Sequence, residues 1–382
     1  MTNLEKMISD LCPDGVKYVK LGEVATRIKG TPITATQMKA IASEDGEIRI
    51  FAGGKTVVNA HEQDIPKANI TKVPSVLVQS RGVIDFIYYD KPFTFKNEMW
   101  AYTFEDKITV KFVYYFLKHN VKHFRDLTEA MGAFPQIALP DTEKFQIPLP
   151  PLPVQQEIVR ILDKFTTLEA ELEAELDCRK RQYEYYRNKL LTFNKLVGGG
   201  TRQISWIKMS EIVEILRGRR LTKRELSDDA PYPVFHGGIE PIGYYTSSNR
   251  PANTVMIINV GASAGTVSYS NIDFWSSDGC YCVSQSESLN SKYLYYYLTT
   301  KQQYFMSKVR HGGIPTLDAK VIANCLIPVP PIEEQNKIAD ILDRFETLTN
   351  DLQSGLPAEI EARRKQYEYY REKLLTFERK AA

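Results

Sequence analysis

Long apolar runs, paired cysteines and secretory features are all lacking in this chain of 382 residues. No apolar run approaches the roughly 20 residues that a membrane-spanning helix needs. The first residues, MTNLEKMISDLCPDG, lack the basic and then apolar pattern of a secretory signal. The five cysteines are an odd number without a metal-ligand set, which favours reduced structural thiols over a disulfide framework. We therefore expect a cytoplasmic protein with no membrane contact and no metal site.

Charge of one sign is also scarce, because 49 Lys and Arg face 47 Asp and Glu. A protein that bound nucleic acid through net charge alone would be far more basic. Any affinity for DNA must therefore come from local patches or from partner subunits.

Catalytic motifs are missing as well. The chain has no GxxxxGK[ST] phosphate loop. Neither Pro-Pro pair (150–151, 330–331) has the preceding Asn or Asp and following aromatic residue of an adenine methyltransferase site. Five scattered histidines suggest no shared acid–base site. We expect a chain that is not an enzyme and has no catalytic residues.

An internal repeat organises what is present. IPLPPLPVQQEIVRILDKFTTL (147–168) returns as IPVPPIEEQNKIADILDRFETL (327–348). RKRQYEYYRNKLLTF (179–193) returns as RRKQYEYYREKLLTF (363–377), so the second copy holds four extra residues in its middle. Fainter matches join VKLGEVATRIKG (19–30) to IKMSEIVEILRG (207–218), FAGG (51–54) to FHGG (235–238), VYYFL (113–117) to LYYYL (294–298), and MGAFPQI (131–137) to HGGIPTL (311–317).

The repeat predicts an alternating order of globular and helical segments. We assign a first globular head to 1–146, a first spacer helix to 147–196, a second head to 197–326 and a second spacer helix to 327–382. The heads have diverged far more than the helices. This pattern is typical of one mechanical frame that carries two different recognition surfaces.

Apolar residues at spacings of three and four predict two long helices with one apolar stripe each. Gly355 and Pro357 oppose helix in SGLPAE, so we expect a kink or short break there. An antiparallel pairing of the two copies with a pseudo-two-fold axis would bury both stripes. A dimerisation coiled coil between two chains is the alternative. The residues predicted to pack are Ile158, Phe165, Leu172, Tyr183, Tyr186, Leu190, Ile338, Phe345, Leu352, Tyr367, Tyr370 and Leu374.

The first helix contains LEAELEAEL (168–176), a four-residue unit written twice. A surface rich in good helix formers explains it simply. The alternative is a ruler, since each added unit would lengthen the helix by ~6 Å.

Each head combines short alternating strands with helices, which predicts an α+β fold. The segments 73–89 and 253–270 are typical of a strand, a tight turn with glycine and a second strand. The segments 111–124 and 292–305 predict amphipathic helices whose tyrosines lie in the core rather than stacking on bases. Loops that recur in both heads carry side chains suited to phosphates or base edges: Lys29, Thr31, Lys55, Arg81, Gln136, Arg217, Arg219, Arg220, His236, Arg310 and Thr316.

The two IP(L/V)PP…QQEIVRILDKF-like segments and the two QYEYYR…LLTF tails resemble the specificity subunits of type I restriction–modification systems. The units LEAELEAEL and GLPAEIEARRKQYEYYR are most similar to the type IC branch. The resemblance covers nearly the whole chain, strongly in the helices and weakly in the outer heads. It gives no residue-level base code.

The resemblance implies that each head recognises one half of a bipartite site on double-stranded DNA. It also implies that the helices set the spacing and dock two methyltransferase subunits, which methylate adenine N6, with restriction subunits joining them. S-adenosylmethionine, ATP and Mg²⁺ would then bind the partners, and this chain would hold no cofactor. A scaffold whose heads bind proteins is the main alternative, and an enzyme with an unrecognised pocket is a third.

Overall fold

The computed structural model describes residues 3–54, 56–129, 135–193, 204–351 and 353–380. They form two compact units: Met1–Glu171 with Ile360–Ala382 is unit 1, and Leu172–Glu359 is unit 2. Each unit combines one head with parts of the helical segments. The units therefore cut across the four-part division, whose boundaries stay predictions.

The helices of unit 1 are interspersed along the chain with its strands. They are α1 (Asn3–Leu11), α2 (Leu21–Val24), α3 (Ala35–Ala40), α4 (Lys107–His119), α5 (Val121–Glu129) and α6 (Leu139–Glu143). The strands are β1 (Tyr18–Lys20), β2 (Thr26–Lys29), β3 (Ile48–Phe51), β4 (Val57–Ala60), β5 (Ser75–Gln79), β6 (Asp85–Tyr89), β7 (Phe93–Phe95), β8 (Trp100–Thr103) and β9 (Gln146–Pro148). They form three sheets in the orders β2-β8-β5-β6, β4-β3-β7 and β1-β9.

Helix α7 (Leu152–Leu191) leads from unit 1 into unit 2. Unit 2 has α8 (Met209–Ile212), α9 (Ser291–Thr300), α10 (Gln302–Ser307), α11 (Ala319–Ala323), α12 (Ile332–Asn350) and the start of α13 (Leu356–Leu375). Its strands are β10 (Ser205–Lys208), β11 (Ile215–Arg217), β12 (Tyr232–Phe235), β13 (Pro241–Tyr245), β14 (Thr254–Ile258), β15 (Val267–Ser270), β16 (Trp275–Ser276), β17 (Cys280–Val283) and β18 (Leu326–Val329).

The sheets of unit 2 repeat those of unit 1 strand for strand, in the orders β11-β17-β14-β15, β13-β12-β16 and β10-β18. In both middle sheets one pair is parallel, β3 with β7 and β12 with β16. The predicted hairpins are the antiparallel pairs β5–β6 and β14–β15. The α+β class and the two repeats are thereby confirmed.

The predicted aromatic helices are each two helices, α4 with α5 and α9 with α10. Side chains cap them at the start: Asp106 accepts from the backbone N–H of Ile108, and Asn290 accepts from that of Tyr293. Tyr115 and Tyr296 are almost fully buried. The placement in the core is therefore confirmed for these tyrosines, whereas Tyr304 on α10 is exposed.

A carboxylate on each long helix holds the aromatic helix of its own head. In unit 1, Asp163 accepts from Lys111 Nζ at 2.8 Å and from the Tyr115 hydroxyl at 2.6 Å. In unit 2, Asp343 lies 2.9 Å from Lys292 Nζ and accepts from the Tyr296 hydroxyl. We call these two sets the clamps. They fix each head to its own helical segment.

A buried glutamine explains part of the repeated proline-rich motif. Gln155 Nε2 donates to the Pro150 carbonyl and Gln335 Nε2 to the Pro330 carbonyl, both at 2.8 Å. A proline-rich stretch cannot pair its own carbonyls within a helix. The side-chain amide satisfies one of them, which is a structural reason for the same residue in both copies.

The helical segments pair within each unit. In unit 1 the Phe165 ring lies 5.4 Å from the Tyr370 ring, and Glu169 Oε1 accepts from Arg364 Nε at 2.6 Å. Partner numbers fall as residue numbers rise, so these segments run antiparallel. In unit 2 the Tyr186 ring stacks on Phe345 at 5.6 Å.

The remaining residues predicted to pack lie as follows. Ile158 and Ile338 are buried in the cores, and Leu374 is also buried. Tyr183 lies near Phe345, Tyr367 lies near Phe165, and Leu190 packs on the core of unit 2. Leu172 is half-buried, and Leu352 lies outside the described residues.

The predicted helix break is confirmed between Asn350 and Leu356. A Cβ on Gly355 would lie 2.5 Å from the Thr347 carbonyl oxygen, so only glycine fits. Pro357 lies in the first turn of α13, where its missing N–H costs nothing. The first long helix ends at Leu191, and Gly198 to Gly200, predicted to end it, lie outside the described residues.

None of the described helices is both long enough and apolar enough to cross a membrane.

Candidate functional site

The loops at the end of the large sheet are built by the same backbone bonds in both heads. Gly82 N–H donates to the Pro135 carbonyl and Gly261 N–H to the Pro315 carbonyl, each at 2.9 Å. Both glycines have a positive φ, 75° and 92°, which other residues rarely adopt. The repeated Gly…Pro motifs are therefore the anchor points of one loop assembly.

Neighbouring bonds continue the match. Ile137 N–H donates to the Ser80 carbonyl at 3.0 Å, and Leu317 N–H donates to the Asn259 carbonyl at 2.8 Å. Arg81 and Gln136 also form a β-bridge in head 1. The corresponding bridge in head 2 joins Val260 to Thr316.

A second glycine pair holds the start of each assembly against the parallel strand. A Cβ on Gly30 would lie 2.3 Å from the Phe95 carbonyl oxygen, and one on Gly218 would lie 2.2 Å from that of Ser276. The next residues confirm the register, because Thr31 N–H donates to Phe95 and Arg219 N–H donates to Ser276. Close approach of two backbones requires glycine here.

We define loop cluster 1 as residues 29–31, 51–54, 80–83, 96–98 and 135–137. Loop cluster 2 comprises 217–219, 235–238, 259–262, 277–279 and 315–317. Lys96 N–H donates to the Phe51 carbonyl and Ser277 N–H to the Phe235 carbonyl, both at 3.0 Å, which joins the FxGG loops to the same assembly. The sequence motifs that recur faintly are thus brought together in each head.

Three of the side chains predicted in head 1 are exposed on loop cluster 1: Lys29, Arg81 and Gln136. Arg81 Nε donates to Gln136 Oε1 at 3.0 Å, so these two side chains present one polar surface. Lys55 lies outside the described residues.

Thr31 corrects the prediction. It is 0% exposed, its hydroxyl lies 2.7 Å from that of Thr94, and it accepts from the Asn69 N–H at 2.8 Å. The side chain is a structural link between loops and is not presented to a ligand. Strict alternation along strand β2 would place Thr31 on the exposed face with Arg27 and Lys29. The contacts with Thr94 and Asn69 bury it instead.

In head 2, Arg217, Arg219 and Arg220 are exposed on or beside loop cluster 2. Arg310 is exposed, and its backbone pairs with that of Thr316 through two hydrogen bonds. The Thr316 side chain is half-buried and donates to the Ile314 carbonyl. Each predicted arginine of head 2 thus remains available to a ligand.

The sequence alone did not identify two carboxylates in these clusters. In head 1, Glu98 Oε1 lies 2.8 Å from Lys96 Nζ. In head 2, Asp278 Oδ1 lies 3.3 Å from Nδ1 of His236, a predicted residue that is half-buried. The local sequence does not predict such pairs, because the exposure of each side chain depends on loops from distant parts of the chain.

The electrostatic balance keeps Glu98 ionised. Burial opposes its charge, but Lys96 and the backbone N–H of Gly53 outweigh it and hold the pKa of Glu98 below its usual value. The Gly53 backbone and the side chains of Arg81, Lys96 and Glu98 line a cavity of about 520 Å³ in unit 1.

The cysteines differ in burial. Cys280, Cys282 and Cys325 are buried, Cys12 is half-buried and Cys178 is exposed. A hydrogen bond with Cys282 and burial raise the pKa of the Cys280 thiol, which keeps it protonated. Over the described part of the chain, no group of three or more His, Cys, Asp or Glu is arranged to hold a metal ion.

Comparison with known proteins places this architecture. The model of the type I restriction modification DNA specificity domain matches residues 13–177 and again 202–362. The EcoR124I/EcoR124II specificity subunit of Escherichia coli is 30% identical over 99% of this chain and 97% of its own length. A putative specificity subunit of Haemophilus influenzae is 30% identical over 72% of this chain and 74% of its own.

A solved S subunit of a type I restriction–modification system from M. genitalium shares the fold, with a TM-score of 0.70 and 18% identity, and it covers 94% of this chain and 96% of its own. The placement in the type IC branch stays a prediction. Two matches to one domain model and a relative that spans almost the whole chain establish the family. The chain belongs to the specificity subunits of type I restriction–modification systems.

Proposed function

We propose that each head of this chain recognises one half of a bipartite site on double-stranded DNA. The supporting observation is the pair of loop clusters, which share their backbone bonds and differ in the side chains they expose. Two loop clusters with the same backbone bonds and different exposed side chains suit two different targets of the same chemical kind. Lys29 and Arg81 on loop cluster 1 and the exposed arginines on loop cluster 2 are suited to phosphates and guanine edges.

We further propose that the spacer helices dock two methyltransferase subunits. Tyr185 is 59% exposed and Tyr369 is 64% exposed, and they occupy the same position of the two QYEYYR copies. Packing within the chain does not explain why the same tyrosine is exposed in each of the two copies. Exposed aromatic residues are favoured at protein interfaces, and two equal surfaces suit two copies of one partner.

On this proposal the chain itself catalyses nothing. S-adenosylmethionine would bind the methyltransferase subunits, and ATP and Mg²⁺ would bind restriction subunits. Methyl transfer to adenine N6 and DNA cleavage then occur in the partners, while this chain selects the site.

Base-resolution mapping of N6-methyladenine in host DNA, with and without this gene, tests the DNA proposal. We expect a split motif that vanishes on deletion and returns on complementation. An unchanged methylation pattern in a host with active partner subunits would contradict it. If the heads bind proteins instead, any binding of DNA should neither weaken at raised salt nor prefer particular base pairs.

Docking is tested separately with the double variant Tyr185→Ala, Tyr369→Ala. We expect at least about tenfold weaker binding of purified methyltransferase subunits, since interface aromatics often contribute this much. The control is Tyr304→Ala, an exposed tyrosine on α10 that lacks a tyrosine counterpart in head 1. Equal binding by the double variant and the control would overturn the docking surface.

A further inference from the structure

The cavity of head 1 combines apolar walls with one ion pair. Met38, Ala52 and Val58 supply apolar lining, while Arg81 and the Lys96–Glu98 pair supply charge. The cavity lies between the FAGG loop and the 81–83 turn, both of which belong to loop cluster 1. It therefore opens on the surface that the proposed function assigns to DNA.

Glu98 is held in place within this cavity. Its side chain is 22% exposed and pairs with Lys96. A Cβ built on Gly53 would lie 3.7 Å from Glu98 Oε1 and 3.8 Å from Arg81 Cβ. Gly53 thus leaves room for a methyl group in van der Waals contact with both the carboxylate and the arginine stem.

A carboxylate on a DNA-facing surface restricts what can approach it. Ionised Glu98 only accepts hydrogen bonds, and phosphate oxygens also only accept, so the two repel. In the major groove the hydrogen-bond donors are the exocyclic amino groups, N4 of cytosine and N6 of adenine. Guanine and thymine present acceptors there. A fixed carboxylate therefore favours an amino-bearing base edge and disfavours the others.

Head 2 reaches the same arrangement with different residues. The strand registers align Glu98 with Gly279, so the carboxylate of head 2 comes from the preceding residue, Asp278. The partner of this carboxylate is His236 from the FHGG loop, whose Nδ1 lies 3.3 Å from Asp278 Oδ1. Two diverged heads thus each place a carboxylate, paired with a nitrogen-bearing side chain, on the loop that follows the parallel strand.

We propose that Glu98 accepts a hydrogen bond from the exocyclic amino group of a cytosine or adenine and so determines the specificity of head 1 at one base pair. Asp278 has the same role in head 2. The inference rests on the proposed recognition of DNA by the heads and names the contact that selects a base.

The test is Glu98→Gln in the full chain with its methyltransferase partners, followed by mapping of N6-methyladenine. The amide keeps the shape but can donate as well as accept. We expect preference at one base pair of one half-site to fall by about tenfold, in line with the worth of a good base contact. The other half-site stays unchanged and serves as an internal control. Asp278→Asn should alter only that other half.

Modified duplexes sharpen the assignment. The recognised adenine is replaced by purine, which lacks N6, or the recognised cytosine by 2-pyrimidinone, which lacks N4. The wild-type complex should bind such a duplex about tenfold more weakly. The Glu98→Gln complex should distinguish the unmodified from the modified duplex less than the wild-type complex does, because a neutral amide that can also donate depends less on the amino group.

Glu62→Gln is the matched control, since Glu62 is an exposed carboxylate of head 1 that pairs with Lys72 at 3.2 Å outside loop cluster 1. A uniform loss of methylation in Glu98→Gln with both half-sites unchanged would assign Glu98 a structural role and overturn the inference. Gly53→Ala adds a second route, because its methyl group fits without a clash and narrows the cavity. It should weaken discrimination at the same base pair. A wild-type complex without any split motif would instead refute the proposed function itself.

Discussion

The two heads share the backbone bonds that anchor their loops and differ in the side chains at the loop tips. Both heads bind a proline carbonyl with a left-handed glycine, and both are held to a long helix by a Lys–Asp–Tyr clamp. At the tips, Arg81 of head 1 corresponds to Val260 of head 2, and buried Thr31 corresponds to exposed Arg219. The glycines and prolines that anchor the loops are the same in both heads, while the side chains around them, Thr31 included, have changed. This separation lets recognition change without changing the frame.

The comparison also explains why the helices resemble each other more than the heads do. A helix that forms a clamp, pairs with another helix and exposes a tyrosine has constraints on several faces. A loop fixed by backbone bonds has few constraints on its side chains, because any residue supplies a backbone N–H and nearly any a carbonyl.

The largest expected effect follows from the close glycines. Gly218→Ala forces a Cβ to within 2.2 Å of backbone oxygen, and Gly30→Ala does the same at 2.3 Å in head 1. We expect each to destabilise its own head by about 2–3 kcal/mol, as overpacking does, and to abolish recognition of one half-site only. Thermal unfolding and methylation mapping measure the two effects.

Gly238→Ala is the control, because nothing lies within 4 Å of its Cβ position. It should leave stability within about 0.5 kcal/mol of wild type. Loss of both half-sites in either close-glycine variant would show that the heads are not independent.

Lengthening helix α7 should change only the length of the unread spacer between the two half-sites. Insertion of LEAE after Leu176 adds one four-residue unit to α7 and lengthens the helix by ~6 Å. We expect the unread spacer of the methylated motif to widen by at most about two base-pair steps, with both half-sites unchanged. A changed half-site would rule out the ruler and leave LEAELEAEL as a helix-forming surface.

The clamps should differ in strength. Asp163→Ala removes a single carboxylate that accepts from both Lys111 and Tyr115. We expect a loss of about 1–2 kcal/mol, since hydrogen bonds to charged groups exceed neutral ones but this carboxylate is partly solvated.

Asp343→Ala should cost less, because Glu346 also accepts from the Tyr296 hydroxyl, at 2.8 Å. Urea unfolding of the two variants under the same conditions measures the difference. Equal losses would mean that Glu346 contributes nothing in solution.

Local patterns allowed much of this fold to be predicted. Apolar spacing located the long helices, Gly355 and Pro357 located the break, and glycine turns located the hairpins, because each signal lies within one segment. The loop motifs pointed to the two loop clusters through the repeat alone.

Tertiary packing decided what those patterns could not. Thr31 has the composition of a surface loop residue, yet Thr94 and Asn69 from distant segments bury it. Glu98 was overlooked for the opposite reason. A glutamate in a loop is typical of solvent, and only the approach of Lys96 and Gly53 gives it a fixed position.

The smallest expected effect is a pH dependence that head 1 has and head 2 lacks. It arises outside the loop clusters. In head 1, Glu47 accepts from the Glu62 N–H at 2.8 Å and lies 2.8 Å from His61 Nδ1. The strand registers place Pro231 at the corresponding position of head 2, which therefore has no such carboxylate.

The Glu62 N–H and other hydrogen bonds lower the pKa of Glu47 from 4.5 to about 2, and the hydrogen bond with Glu47 raises the pKa of His61. A lowered carboxyl pKa stabilises head 1 fully above pH 4.5, and this contribution disappears as pH falls through about 2. The raised His61 pKa has the opposite pH dependence. Its contribution to stability is complete below the unfolded pKa of 6.5 and disappears as pH rises through the folded pKa.

NMR titration should therefore show that Glu47 ionises at a pH well below that of ordinary glutamates. In Glu47→Gln the His61 pKa should fall, and a His61 titration unchanged by that substitution would contradict the pairing. Because both groups are exposed, solvent screening keeps the change in overall stability small, so the titration itself is the sensitive measurement.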